Sequence, residues 1–129
     1  MTAKLLLIEV DPTLRAMLSL MLRDAGFRVE VSRDAVSGLQ KAYALAPDLV
    51  LVDARLPDMD RWAACRRLRE MSDVPIIMLL ALDTEKGAAE DLEQGADAYL
   101  VKPVSQGELE SHIHALLRRA PGTRTAFLH

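Results

Sequence analysis

Five short apolar runs, at residues 5–8, 29–31, 49–52, 76–80 and 99–101, alternate along this chain with longer segments of helical period. That alternation limits the fold more than any single motif does. The runs LLLI, LVLV and IIMLL are nearly continuous rather than alternating, as strands covered on both faces should be. Between the first two, Leu14, Met17, Leu18, Met21, Leu22 and Ala25 keep helical spacing, with Asp11 as N-cap, Pro12 in the first turn and Gly26 as the stop. Asp34 caps a second helix that turns Leu39, Ala42, Tyr43 and Ala46 inward and ends at Pro47. A third runs over 60–71 with Ala64, Cys65 and Leu68 inward. A fourth covers 84–93, closed by Gly95, and a fifth covers 105–119 with Leu109, Ile113, Leu116 and Leu117 inward. Five βα units with right-handed crossovers predict an α/β, doubly wound five-stranded parallel sheet of flavodoxin-like order 2-1-3-4-5.

The 129 residues, half of them hydrophobic, suffice for one core, so residues 1–119 are expected to form one domain. Pro121 and Gly122 break the last helix, and 120–129 read as a tail or the start of a linker to an effector domain. A net charge of −3 gives no basic surface for nucleic acid, and no apolar run approaches the roughly 20 residues that cross a bilayer. The single cysteine, Cys65, cannot form an internal disulfide and fits a small core residue. The apolar stretch after Lys4 is too short for a signal peptide, and a cytoplasmic setting is expected.

In a doubly wound sheet, binding takes place at the carboxyl ends of the strands. There this chain carries Glu9 and Asp11 after strand one, Asp53 after strand three, Leu80 and Ala81 after strand four, and Lys102-Pro103 after strand five. Oxygen-only carboxylate ligands suit a hard cation such as Mg²⁺, and a lysine beside them can neutralise an anion that the metal brings. Metal-assisted phosphoryl chemistry is the natural reading.

The stretches LVLVDARLPDMD around Asp53, VPIIML in strand four and GADAYLVKP around Lys102 resemble the receiver domains of two-component response regulators, over about residues 4–119. The resemblance implies that Asp53 accepts a phosphoryl group from a histidine kinase, with Mg²⁺ shielding the charge. It implies that Lys102 grips the acyl phosphate, that the Lys102–Pro103 peptide is cis, and that the domain is a signalling module rather than an enzyme. Tyr99 would be the switch aromatic. The helix four, strand five, helix five face would bind partners or a second copy, and DNA only through a separate effector domain.

Four positions depart from that pattern. Val10 stands where the second acid, the direct metal ligand, is usual; Leu80 replaces a Ser or Thr that hydrogen-bonds the phosphoryl group. Arg61 replaces a glycine after Met-Asp, and Ala98 replaces an acid before Tyr99. Loss of a charge-assisted ligand costs on the order of 3 kcal/mol and loss of the hydroxyl about 1.5–3 kcal/mol, so the phosphorylated state is doubly weakened. A guanidinium at Arg61 could restore some positive charge.

Local readings compete with these roles. Asp11 fits an N-cap better than a ligand, although its strand parity with Glu9 leaves ligation open. Glu9 could reach a metal through water or pair with Lys102. His112 borders the apolar stripe of helix five and His114 faces solvent, while Ala88, Ala98 and His112 replace charges usual at the dimer face of the DNA-binding subclass. Helix four has only a thin stripe of Ala88, Ala89 and Leu92, which makes its face the one expected to move. The departures favour an atypical receiver with weak or absent Mg²⁺-dependent phosphorylation; the alternative is a working phosphoreceiver of a DNA-binding regulator. A flavodoxin-like electron carrier would need a hydroxyl- and glycine-rich phosphate loop, which VDPTLR is not.

Overall fold

The computed structural model describes residues 2–119, so the proposed tail or linker at 120–129 lies outside the described residues. Strands β1 (Lys4–Ile8), β2 (Arg28–Ser32), β3 (Leu49–Asp53), β4 (Ile76–Leu80) and β5 (Ala98–Val101) alternate with helices α1 (Pro12–Asp24), α2 (Ala35–Leu45), α3 (Arg61–Met71), α4 (Ala88–Glu93) and α5 (Gln106–Leu117). A 3₁₀ turn, Glu85–Gly87, precedes α4. The sheet is parallel throughout in the order β2-β1-β3-β4-β5, the doubly wound arrangement expected from the alternation.

The pleat sorts the strand residues into two apolar layers, because successive side chains point to opposite faces. Leu5, Leu7, Leu49, Leu51, Ile77, Leu79 and Leu100 pack with Leu18 and Leu22 of α1 and Leu109, Ile113 and Leu116 of α5. Leu6, Ile8, Val50, Val52, Ile76, Met78 and Leu80 pack on the other face with Ala42 of α2 and Cys65 and Leu68 of α3. Cys65 is fully buried, and burial pushes its thiol up to about 12, so it is a core residue without thiolate chemistry. The helix caps follow the sequence: Asp11, Asp34, Asp60 and Ser105 each accept a backbone N–H of the first turn.

Three residues expected inward lie outside. Met17 is 56% exposed and Tyr43 82% exposed. At roughly 100° per residue, Met17 falls about 100° from Leu18 and Tyr43 about 100° from Ala42, at the margin of stripes centred elsewhere. Ala46, expected inward, instead ends α2 in the left-handed conformation and is exposed. Of the stripe expected of helix four, Ala88 packs half-buried against the α2/α3 layer, whereas Ala89 and Leu92 are exposed, and the one buried side chain of α4 is Asp91.

Gly38 sets how closely α2 approaches β1. A Cβ there would stand 2.4 Å from Ile8 Cδ1 and 2.7 Å from Ile8 Cγ1. Overpacking costs about 1–3 kcal/mol and the gain in helix propensity returns about 1, so Gly38→Ala is expected to lower unfolding stability by about 1–2 kcal/mol. Urea denaturation measures it. Ile8→Val in the same chain, by removing Cδ1, should make the alanine less costly than it is beside Ile8.

Candidate functional site

On three strands a polar side chain stands two residues beyond a buried leucine of the same face. Glu9 keeps the parity of Leu5 and Leu7, Asp53 that of Leu49 and Leu51, and Lys102 that of Leu100. All three therefore leave the sheet on its α1/α5 side, and they meet. Lys102 Nζ lies 2.9 Å from Glu9 Oε1 and 3.2 Å from Asp53 Oδ1. Lys102 N is fixed by the Leu80 carbonyl at 2.7 Å and Glu9 N by the Ser32 carbonyl at 3.0 Å, so the backbone positions both ends of the bridge. The Lys102–Pro103 peptide is cis.

Asp53 is almost fully buried, and every polar neighbour favours its charged form. Its Oδ1 accepts from Arg55 N at 3.0 Å and its Oδ2 from Val10 N at 3.2 Å. Burial pushes its carboxyl up, but the hydrogen bond with Glu9, these amides and the Lys102 charge together hold it below the usual range. Glu9 goes the other way. Burial first, and then its hydrogen bond and proximity to Asp53, raise its carboxyl to about 7, with Lys102 and the Asp11 amide opposing. Glu9 Oε2 accepts from Asp11 N at 3.1 Å, while Oε1 faces the Lys102 ammonium. The pair is thus one carboxylate and one carboxyl that titrates near neutrality.

Val10 follows Glu9 and contributes only its backbone N–H to the cleft. The Asp11 carboxylate faces away from it, with Oδ1 accepting from Thr13 N at 2.9 Å and Leu14 N at 3.2 Å; this is the cap expected from Asp-Pro. Among the described residues no group of three or more His, Cys, Asp or Glu side chains is arranged to hold a metal ion. Two carboxylates already spanned by an ammonium, a capping aspartate and a valine do not fit a three-carboxylate Mg²⁺ site.

Leu80 is fully buried in the α2/α3 layer, on the sheet face opposite Asp53. Tyr99 stands 38% exposed on β5 beside Ala98, and a groove of about 440 Å³ lined by Leu92, Tyr99, Val101, Glu108 and His112 runs along this face. His114 faces solvent, as expected, with its ring 5.4 Å from that of Phe27.

Arg61 does not reach Asp53. Its Nε donates to Asp91 Oδ1 at 2.7 Å and its Nη2 to Asp91 Oδ2 at 2.9 Å, a fork from α3 to α4. The positive charge that Arg61 was expected to bring to the cleft is therefore engaged by Asp91 instead. The sequence reading missed Asp91, because its partner lies 30 residues away; an acid inside a helix poor in apolar residues is the available signal. It also missed Asp58, whose two oxygens accept from Ala35 N and Val36 N at 2.9 Å and tie the loop after Asp53 to the start of α2.

Residues 5–114 match the response regulator receiver domain family. The chain belongs to that family. Among its relatives are the DNA-binding response regulator MtrA of Mycolicibacterium smegmatis, 41% identical over 92% of this chain, and the DNA-binding dual master transcriptional regulator RpaA of Synechocystis, 35% identical over 98%. The chain spans about half the length of these curated relatives, 52% and 54% respectively. Among solved structures, the receiver domain of sensor histidine kinase PA1611 from Pseudomonas aeruginosa, with a magnesium ion coordinated in its active site cleft, is 30% identical with a TM-score of 0.84, over 92% of this chain and 100% of that one. A two-component response regulator from Clostridium difficile is 25% identical with a TM-score of 0.86, over 92% and 98%. Membership of the receiver family replaces the electron-carrier reading. No helix among the described residues is long and apolar enough to cross a membrane.

The raised Glu9 carboxyl gives this receiver a pH signature. The folded chain holds that proton more tightly than the unfolded one, whose ordinary value is 4.5. Stability from the protonated form is complete below the unfolded value and is lost as pH rises through about 7. Glu9→Gln is expected to remove this fall, so the stability difference between about pH 5 and about pH 8 shrinks relative to the parent chain in urea denaturation. Equal differences in the two proteins would contradict the shift.

Proposed function

We propose that this chain is an atypical receiver module of two-component signalling, with Asp53 at the phosphoacceptor position, weak or absent Mg²⁺-dependent phosphorylation, and output through protein–protein contacts. The observation that carries the reading is the cleft's own neutralisation: Lys102 spans Glu9 and Asp53 while Val10 offers no oxygen beside them. An incoming cation must displace or share an ammonium that already serves both carboxylates, with one ligand fewer to repay its lost hydration. The buried Leu80 removes a hydrogen bond to a phosphoryl group, about 1.5–3 kcal/mol for a charged acceptor.

A working phosphoreceiver is the second reading. The preformed contact of Asp53 with Lys102, and the ionised state that its amides favour, support it. In either reading Asp53 is the nucleophilic position, Lys102 its cationic partner and Glu9 the adjacent acid, with Asp11 committed to the helix. The protein partner is a histidine kinase or another signalling protein in the cytoplasm. The face containing Tyr99, Leu92 and His112 is the proposed contact surface for it or for a second copy, and DNA is reached only through a separate effector domain.

Mg²⁺ and then beryllofluoride titrated against Trp62 fluorescence, together with a small-molecule phosphodonor assay against Asp53→Asn, separate the two readings. No saturation at millimolar Mg²⁺ and little label on Asp53 are expected. Saturation with Asp53-dependent labelling would establish the second reading. Val10→Asp is expected to tighten Mg²⁺ by about ten- to a hundredfold, which corresponds to about 1.4–2.8 kcal/mol.

A further inference from the structure

Helix α4 holds to the domain in an unusual way. It has six residues, its one buried side chain is Asp91, and neither it nor the preceding 3₁₀ turn has a side-chain cap at its start. Apart from Ala88, half-buried against the α2/α3 layer, it brings no apolar side chain to the core, and so short a helix needs another anchor. Asp91 supplies it: besides the Arg61 fork, its Oδ1 accepts from Trp62 Nε1 at 2.7 Å. Arg61 Nη2 also donates to the Thr84 carbonyl at 3.1 Å, and the Arg61 guanidinium lies 5.4 Å from the Trp62 ring. Two adjacent residues at the start of α3 thus grip the 84–91 segment at both ends.

Gly87 provides a third, independent point of contact. A Cβ there would stand 2.4 Å from Arg61 Nη2 and 2.9 Å from Trp62 Cζ2, so the segment lies directly on the paired side chains. One route from Asp53 to α4 would run through the end of β4. There Leu80 is apolar and buried, and the Thr84 hydroxyl is engaged locally with Ala81 N at 2.7 Å and Ala81 O at 3.0 Å. A second route runs through Arg55, whose N–H donates to Asp53 Oδ1 at 3.0 Å and whose side chain pairs with Asp83, but both side chains of that pair are exposed and such a pair holds weakly, so the buried polar connection of α4 is to α3.

We propose that Arg61, Trp62 and Asp91 form a clamp, seated on Gly87, that fixes the 84–93 segment against α3 whatever the charge on Asp53. Arg61 is then a positioning residue for α4. The contact face that includes α4 is preset, and it becomes adjustable only when the clamp is opened. The inference does not depend on whether Asp53 is phosphorylated.

Amide hydrogen exchange on the full chain and on four single variants tests it. Arg61→Gln, Asp91→Asn and Gly87→Ala are each expected to raise exchange over 84–93 by about tenfold or more while 49–53 stays within about twofold, the pattern of a local opening. Asp53→Asn is expected to leave 84–93 within about twofold. Gly87→Ala keeps both charges and decides the matter if a variant that leaves one buried group unpaired fails to fold. Unchanged exchange over 84–93 in Gly87→Ala, a rise spread evenly over the sheet, or an opening of 84–93 by Asp53→Asn as large as that by Arg61→Gln would each overturn the clamp.

Discussion

A strand buried on both faces must place whatever follows it on one face or the other, and the cleft of this receiver depends on that constraint. Glu9, Asp53 and Lys102 continue the parity of the leucines before them and converge on the α1/α5 side. Leu80 continues the parity of Ile76 and Met78 and joins the opposite layer. The same alternation that packs the core thus decides which strand-end residues can meet. A one-residue slip in β3 would bury Asp53 in the α2/α3 layer and unpair Lys102.

Once gathered, two nearly dry carboxylates cannot both stay charged beside a single ammonium. The asymmetry follows from their neighbours. Asp53 receives two backbone N–H groups and part of the Lys102 charge, whereas Glu9 receives one N–H and the rest of that charge. Burial therefore dominates at Glu9 and is overcome at Asp53. The cleft is balanced by its own residues, and the proposal of weak Mg²⁺ binding rests on that balance.

Much of this was legible in the sequence. The β1, β3 and β4 runs, the Asp11 and Asp34 caps and the sheet order follow from the sequence pattern, and the meeting of Glu9, Asp53 and Lys102 follows from strand ends in a doubly wound sheet. Parity could also have shown that Leu80 faces the other layer. Met17 and Tyr43 were misjudged because a residue at the margin of a helical stripe is buried or exposed according to the tilt of the helix, which spacing does not encode. The Arg61–Asp91 pair was illegible for a different reason. It joins two helices 30 residues apart through side chains whose direction depends on both helix positions, and no local pattern reports on that.

That pair also decides what Arg61 can contribute chemically. A guanidinium near a receiver cleft invites the idea that it replaces part of a missing metal. To do so it would have to leave Asp91, which is fully buried and bonded otherwise only to Trp62 in this network. Breaking a buried pair by removing one partner costs about 3–5 kcal/mol, more than the roughly 1.5–3 kcal/mol that one new hydrogen bond to a charged phosphoryl group returns. The arginine therefore stays on α4. The arginine at position 61 and the valine at position 10 lie within one domain, yet the first does not compensate for the second, because its guanidinium is held by Asp91.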